Sequence, residues 1–201
     1  MQQSTQTDLQ TIRLALEANS RLTSLSGAAL VISGVLAFFA AGLTSMAGLA
    51  EEASRAEITR EQLLPMVGLW SLTLAVCAGL NLLGMLRRAR QDGQPLAARL
   101  GRRLLFAMLP AMAVGGALTL GFAIQGRLDW IFPIWMLCYG AALVAAGAHS
   151  ISSVRMLGLF MLLGGAVSMV PGTGTDFIFF TSTFGAGHFL LGVWVGVRYG
   201  W

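Results

Sequence analysis

Six stretches of the chain contain no Asp, Glu, Lys or Arg: residues 22–50, 62–86, 104–126, 130–154, 156–175 and 177–197. Each is 20 residues or longer, and about 20 apolar residues in a helix cross the roughly 30 Å hydrocarbon core of a bilayer. The runs are continuously apolar and lack the period-two alternation of a membrane barrel strand. Lipid also cannot satisfy exposed backbone groups, so helices are the expected form. The pattern predicts an all-α integral membrane protein: a six-transmembrane-helix bundle over 24–201, preceded by a polar arm over 1–23.

The arm reads as an N-terminal amphipathic helix. Thr7 and Gln10 have capping-box spacing, Leu9, Ile12 and Leu16 share a face, and Glu17 and Arg21 pair at i,i+4. Two roles fit it: a surface arm that touches a partner, or a start helix that positions the first span. The first apolar run is longer than the core of a cleavable signal, so it reads as a retained anchor.

Composition supports the same class, with 56% hydrophobic and 11% charged residues against about 25% charged in soluble domains. The cations are all arginine, and their positions set the orientation. Ten of the thirteen (Arg13, Arg21, Arg87, Arg88, Arg90, Arg99, Arg102, Arg103, Arg155 and Arg198) fall on the face shared by the two termini and the loops at 87–103 and 149–155. The other face holds Arg55, Arg60 and Arg127 beside six acids. The positive-inside rule then predicts a multi-pass protein of the bacterial inner (plasma) membrane with both termini cytoplasmic. Arginines that flank spans without interleaved aromatics argue against a nucleic-acid partner. Their expected partners are the bilayer and its anionic lipids, with Arg87, Arg88, Arg90, Arg102 and Arg103 near two helix ends as the contact.

Within the runs the ionisable candidates are two histidines. His188 lies midway along the last run and His149 near the end of the fourth, at depths that differ by about 15 Å, which does not suit two axial ligands of one haem. Gly185, Gly192 and Gly196 surround His188 at helical steps. Small residues at such spacing let membrane helices approach closely, so this stripe is a candidate packing face, within the chain or in a homo-oligomer, with His188 facing protein. Asn81, Thr181, Ser182 and Thr183 are candidate interhelical or ligand contacts. Cys77 and Cys138 read as core thiols, and Pro110 and Pro133 as kinks in spans three and four. In the link 171–176, Thr175 and Asp176 read as a helix N-cap. No cofactor or metal is implied.

G-A-A-L-V occurs at both 27–31 and 140–144, and M-V-G-L-W (66–70) parallels M-L-G-L-F (156–160). These matches fit a 3+3 inverted repeat, a plan used by many transporters. The stretches S-R-L-T-S-L-S-G (20–27) and F-G-A-G-H-F-L-L-G (184–192) resemble a set of small uncharacterised bacterial six-span membrane proteins. L-G-L-F-M-L-L-G-G-A-V-S-M-V-P (157–171) is similar to the helices of HdeD-like membrane proteins. These resemblances imply a six-span fold and no particular reaction. Two functions remain: a non-enzymatic protein that senses or associates, and a small transporter or channel for a neutral or lipophilic compound.

Overall fold

A computed structural model describes residues 25–54, 59–91, 96–125, 130–170 and 175–201. The arm over 1–23, the stretch 55–58, the turn at Asp92–Pro95 and the segment 171–174 lie outside the described residues. The described chain is helical: α1 (Gly27–Met46), α2 (Leu49–Ser54), α3 (Arg60–Gln91), α4 (Leu96–Gln125), α5 (Ile131–Ala146), α6 (Ser152–Ser168), α7 (Asp176–Thr181), a π-helical turn (Ser182–Gly187) and α8 (His188–Tyr199). The last three run on as one helical stretch, Asp176–Tyr199. Four helical stretches are long and apolar enough to cross a membrane: α1, Glu61–Arg88 of α3, Gly101–Gln125 of α4, and Asp176–Tyr199. The other two apolar helices, α5 and α6, have 16 and 17 residues, about 24–26 Å at 1.5 Å per residue.

Local chemistry explains several of the boundaries. Ser26 starts α1, its hydroxyl accepting the Ala29 N–H at 3.2 Å. Gly48, at φ 74°, takes the left-handed conformation that breaks the first apolar run into α1 and the short α2. A capping box opens α3: the Gln62 N–H donates to Thr59 Oγ1 (3.3 Å) while the Thr59 N–H donates to Gln62 Oε1 (2.9 Å). Pro110 sits inside a continuous α4. Pro133 falls in the first turn of α5, where its missing N–H leaves no helical bond unmade, so the kink expected in the fourth span has no basis there.

The α5–α6 turn differs from expectation. It spans 147–151, so His149 lies beyond α5 and Arg155 lies inside α6. Gly147 permits the close return, since a Cβ there would stand 2.5 Å from the Arg155 Cβ. Gly140 and Gly158 then cross backbone to backbone, each glycine's would-be Cβ within 2.8 Å of the other's carbonyl oxygen.

Two buried clusters build the core. One joins α1, α2, α3, α5 and α7 through Ala37, Ala41, Ala53, Met66, Trp70, Phe132 and Phe180. The second joins α1, α5, α6 and α8 through Leu30, Leu143, Leu157, Met161, Leu191 and Val195. Phe184, on the π turn, packs against both.

Candidate functional site

Beside Phe184, where the two clusters meet, lies a histidine–tyrosine pair. His188 opens α8 just past the π turn, and it is 7% exposed. Its Nδ1 lies 2.9 Å from the Phe184 carbonyl oxygen and its Nε2 lies 3.1 Å from the Tyr139 hydroxyl of α5. A carbonyl oxygen carries no proton, so Nδ1–H is the donor there. Nε2 then accepts the Tyr139 O–H, a tautomer assigned from the partners. With both nitrogens engaged, the imidazole can take a ligand only by exchanging the Tyr139 hydroxyl. Among the described residues no three His, Cys, Asp or Glu side chains gather as a metal site.

A chain of rings leads away from this pair. Phe177, Phe180, Phe184 and His188 recur at steps of three and four residues on the last helical stretch. Phe180 stands edge-on to Trp70 at 4.6 Å between centroids and lies 4.9 Å from Phe132. Phe184 lies 4.6 Å from Phe180 and 5.1 Å from Tyr139. Offset and edge contacts in this range are the favoured aromatic geometries. Trp135 joins the group 5.9 Å from Phe180.

Hydroxyl relays fasten the neighbouring helices. Trp70 Nε1 donates to Thr44 Oγ1 (3.1 Å), and Thr44 donates to the Ala40 carbonyl. Trp135 repeats the pattern on α4, donating to Thr119 Oγ1 (2.9 Å), which donates to the Gly115 carbonyl. Asn81 joins α3 to α1: Nδ2 donates to Ser33 Oγ (2.9 Å) and to the Cys77 carbonyl (2.8 Å). These relays leave no proton donor of Trp70, Trp135 or Ser33 unused, as low-dielectric surroundings demand.

The threonines differ from one another. Thr183 is fully buried and donates to the Phe180 carbonyl within its own helix. Thr181 Oγ1 is buried without a hydrogen-bond partner among the described residues, at the edge of the π turn. Thr175 occupies the N-cap position of α7 but makes no side-chain capping bond. Asp176 is buried in the first turn. The hydroxyl cap expected from Thr175 is therefore not made.

The glycine stripe faces α1, whereas His188 faces α5. Successive steps of four residues on a helix drift about 40°, which separates the two directions. A Cβ on Gly192 would stand 2.5 Å from the Val31 amide nitrogen, and one on Gly185 would stand 2.7 Å from the Phe38 ring. Gly27 lies against Gly196, its would-be Cβ 2.5 Å from the Gly196 Cα. The outer side of Gly196 is covered by the Trp201 ring.

The arginines expected at anionic lipid divide in two. Arg87, Arg90, Arg102 and Arg103 are exposed. Arg88 is half-buried, and its guanidinium donates to the carbonyls of Leu25, Tyr199 and Gly200.

Comparison with protein-family models, curated proteins and solved structures finds no match to this chain.

Several of these residues escape a reading of charge and glycine spacing. Tyr139 sits within a generic apolar run, and nothing local marks it as the partner of His188. The aromatic repeat Phe177–Phe180–Phe184–His188 was available as a signal. So was the small-residue stripe of α1 (Gly27, Ser33, Gly34, Ala37, Ala41 and Thr44), all buried.

Proposed function

We propose that this chain is an integral protein of the bacterial inner membrane with a sensing or association role and no reaction of its own. Six helices cross the bilayer, with the arginine-rich end and both termini cytoplasmic. The observation that carries this reading is the bonded interior. His188 with Tyr139, Asn81 with Ser33, Trp70 with Thr44 and Trp135 with Thr119 spend their polar groups on one another, a way of joining helices rather than of holding a substrate. The lipid-facing remainder associates with anionic lipid and with further copies of the chain.

Native mass spectrometry of protein released from mild detergent tests this. The expected result is a homo-oligomer that carries lipid alone. A lipid-bearing monomer with no partner on crosslinking removes the association role.

One observation favours transport of a neutral or lipophilic compound instead. The last span is interrupted by a π turn, a feature frequent at functional sites, with the unbonded Thr181 hydroxyl beside it. Broken helices line the sites of many transporters. A 3+3 repeat would fit that reading. It draws support from the two G-A-A-L-V segments, whose glycines each abut a glycine of another helix, Gly27 on Gly196 and Gly140 on Gly158. A reproducible non-lipid adduct in the mass spectrum, lost in His188→Ala, decides for transport.

A further inference from the structure

Arg88 holds together three parts of the chain far apart in sequence. Nη1 donates to the Leu25 carbonyl (2.9 Å), just before α1, and to the Gly200 carbonyl. Nη2 donates to the Tyr199 carbonyl at the end of α8. The C-terminal turn is shaped for this. Gly200 takes φ 97°, and a Cβ there would stand 3.2 Å from Arg88 Nη2, so only glycine lets the chain turn its last carbonyls onto the guanidinium. On the other side of the same joint, a Cβ on Gly84 would stand 2.7 Å from the Ser26 Cβ.

Among the described residues this guanidinium is bonded to no acidic side chain. All three acceptors are neutral carbonyls. The acidic residues of the described helices are Glu51 and Glu52 of α2, Glu61 at the start of α3 and Asp176 at the start of α7. Glu61 is on the same helix as Arg88, about 40 Å away along the axis. A guanidinium has five N–H donors. Three carbonyls leave Nε–H and one Nη2–H without an acceptor among the described residues. An edge of this kind suits two oxygens of one phosphate.

The level of the joint is that of a membrane surface. Trp194, Tyr199 and Trp201 are partly exposed around it, Trp194 meeting Tyr199 edge-on at 5.6 Å, and aromatic side chains of this type gather at headgroup depth. Arg87 and Arg90 are exposed on the same helix end.

We infer that Arg88 binds the phosphate of one anionic lipid, whose charge the described carbonyl acceptors do not supply and which completes the joint between α1, α3 and α8. This rests on the membrane reading above and adds to it one specific site among the arginines. The other exposed arginines then attract headgroups without holding one.

The test reconstitutes the full chain in nanodiscs of phosphatidylcholine with increasing phosphatidylglycerol, reading Tm by circular dichroism and retained lipid by native mass spectrometry. The expected result is a saturating rise in Tm with one phosphatidylglycerol retained per chain. Arg88→Gln should weaken that lipid's apparent affinity about tenfold, the loss of one charge-assisted contact. The double variant Arg87→Gln, Arg90→Gln should retain it. No rise in Tm, or a rise unchanged in Arg88→Gln, overturns the site. Inorganic phosphate that reproduces the rise in pure phosphatidylcholine overturns the lipid as its source. Should Arg88→Gln not fold, the wild-type protein still decides, because a rise equal to that given by uncharged diacylglycerol overturns the site. A chain that stays in the aqueous phase on detergent phase separation overturns the membrane reading itself, a different outcome from a membrane-bound chain without lipid selectivity.

Discussion

Helices α1 and α8 press their backbones together, whereas α3 and α4 leave most of their apolar length uncovered by the rest of the protein. Half of the apolar stretch of α1 is buried inside the protein, against 17% for α3 and 6% for α4. All these helices are apolar and contain glycine, so composition does not separate them. Placement of the glycines does. Gly27, Gly34, Gly192 and Gly185 leave no room for a methyl group, while Gly68, Gly79, Gly116 and Gly121 have nothing within 4 Å of where one would stand. In lipid there is no hydrophobic gain from joining two apolar helices. Close backbone approach and hydrogen bonds must join them instead, and α1 and α8 have a matched pair of small-residue stripes to do so.

Gly192→Leu breaks this contrast most strongly. The new side chain would begin 2.5 Å from the Val31 amide nitrogen, and backbone cannot yield as a flexible side chain does. The expected loss is about 3 kcal/mol, the upper end of overpacking costs, seen as a lower Tm in detergent and a protease-sensitive C-terminal helix. An unchanged Tm would mean that α1 and α8 do not meet along this stripe.

The Tyr139–His188 pair comes next. Tyr139→Phe keeps the ring in its aromatic surroundings but removes the proton that His188 Nε2 accepts, leaving a buried acceptor at a cost of about 1–3 kcal/mol. In a double-mutant cycle with His188→Phe, the coupling should be about 1 kcal/mol. Additivity within error would show that the two side chains do not bond. Asn81→Leu should cost less, about 0.6 kcal/mol, the average for a hydrogen bond between membrane helices. Its loss should couple to Ser33→Ala and not to Tyr139→Phe.

The order of these effects follows how the sequence displays them. Charge-free runs locate the helices, because a charged side chain in lipid is costly at every position. They place ends poorly where the turn is itself uncharged: the break at Gly48 and the turn at 147–151 lie inside or across predicted spans. The stripe Gly185–Gly192–Gly196 was legible from spacing, but its partner was not, since a close approach is a property of two helices. Reading α1 for the same period finds Gly27, Ser33, Gly34, Ala37 and Ala41. His188 was legible as a lone ionisable group, yet Tyr139 lies 49 positions away, and no local rule relates them. The π turn is equally silent in sequence, because S-T-F-G-A-G forms an α-helical turn as readily. Arg88 was legible as a cation at a helix end. Its capture by three carbonyls depends on where α1 begins and α8 stops.

The smallest effect is the sharpest control on the comparison. At Gly116 and Gly68 a methyl group would meet nothing, so alanine adds helix propensity without a clash. Gly116→Ala should leave Tm unchanged or raise stability by up to about 1 kcal/mol, the opposite sign to any enlargement on the α1–α8 seam. If a second copy of the chain covers this face of α4, the same alanine lowers oligomer occupancy while monomer stability holds. Paired measurements of Tm and native mass therefore separate the two states. A fall in both would place Gly116 against a helix of the same chain, and this face of α4 would no longer be the open one of the contrast.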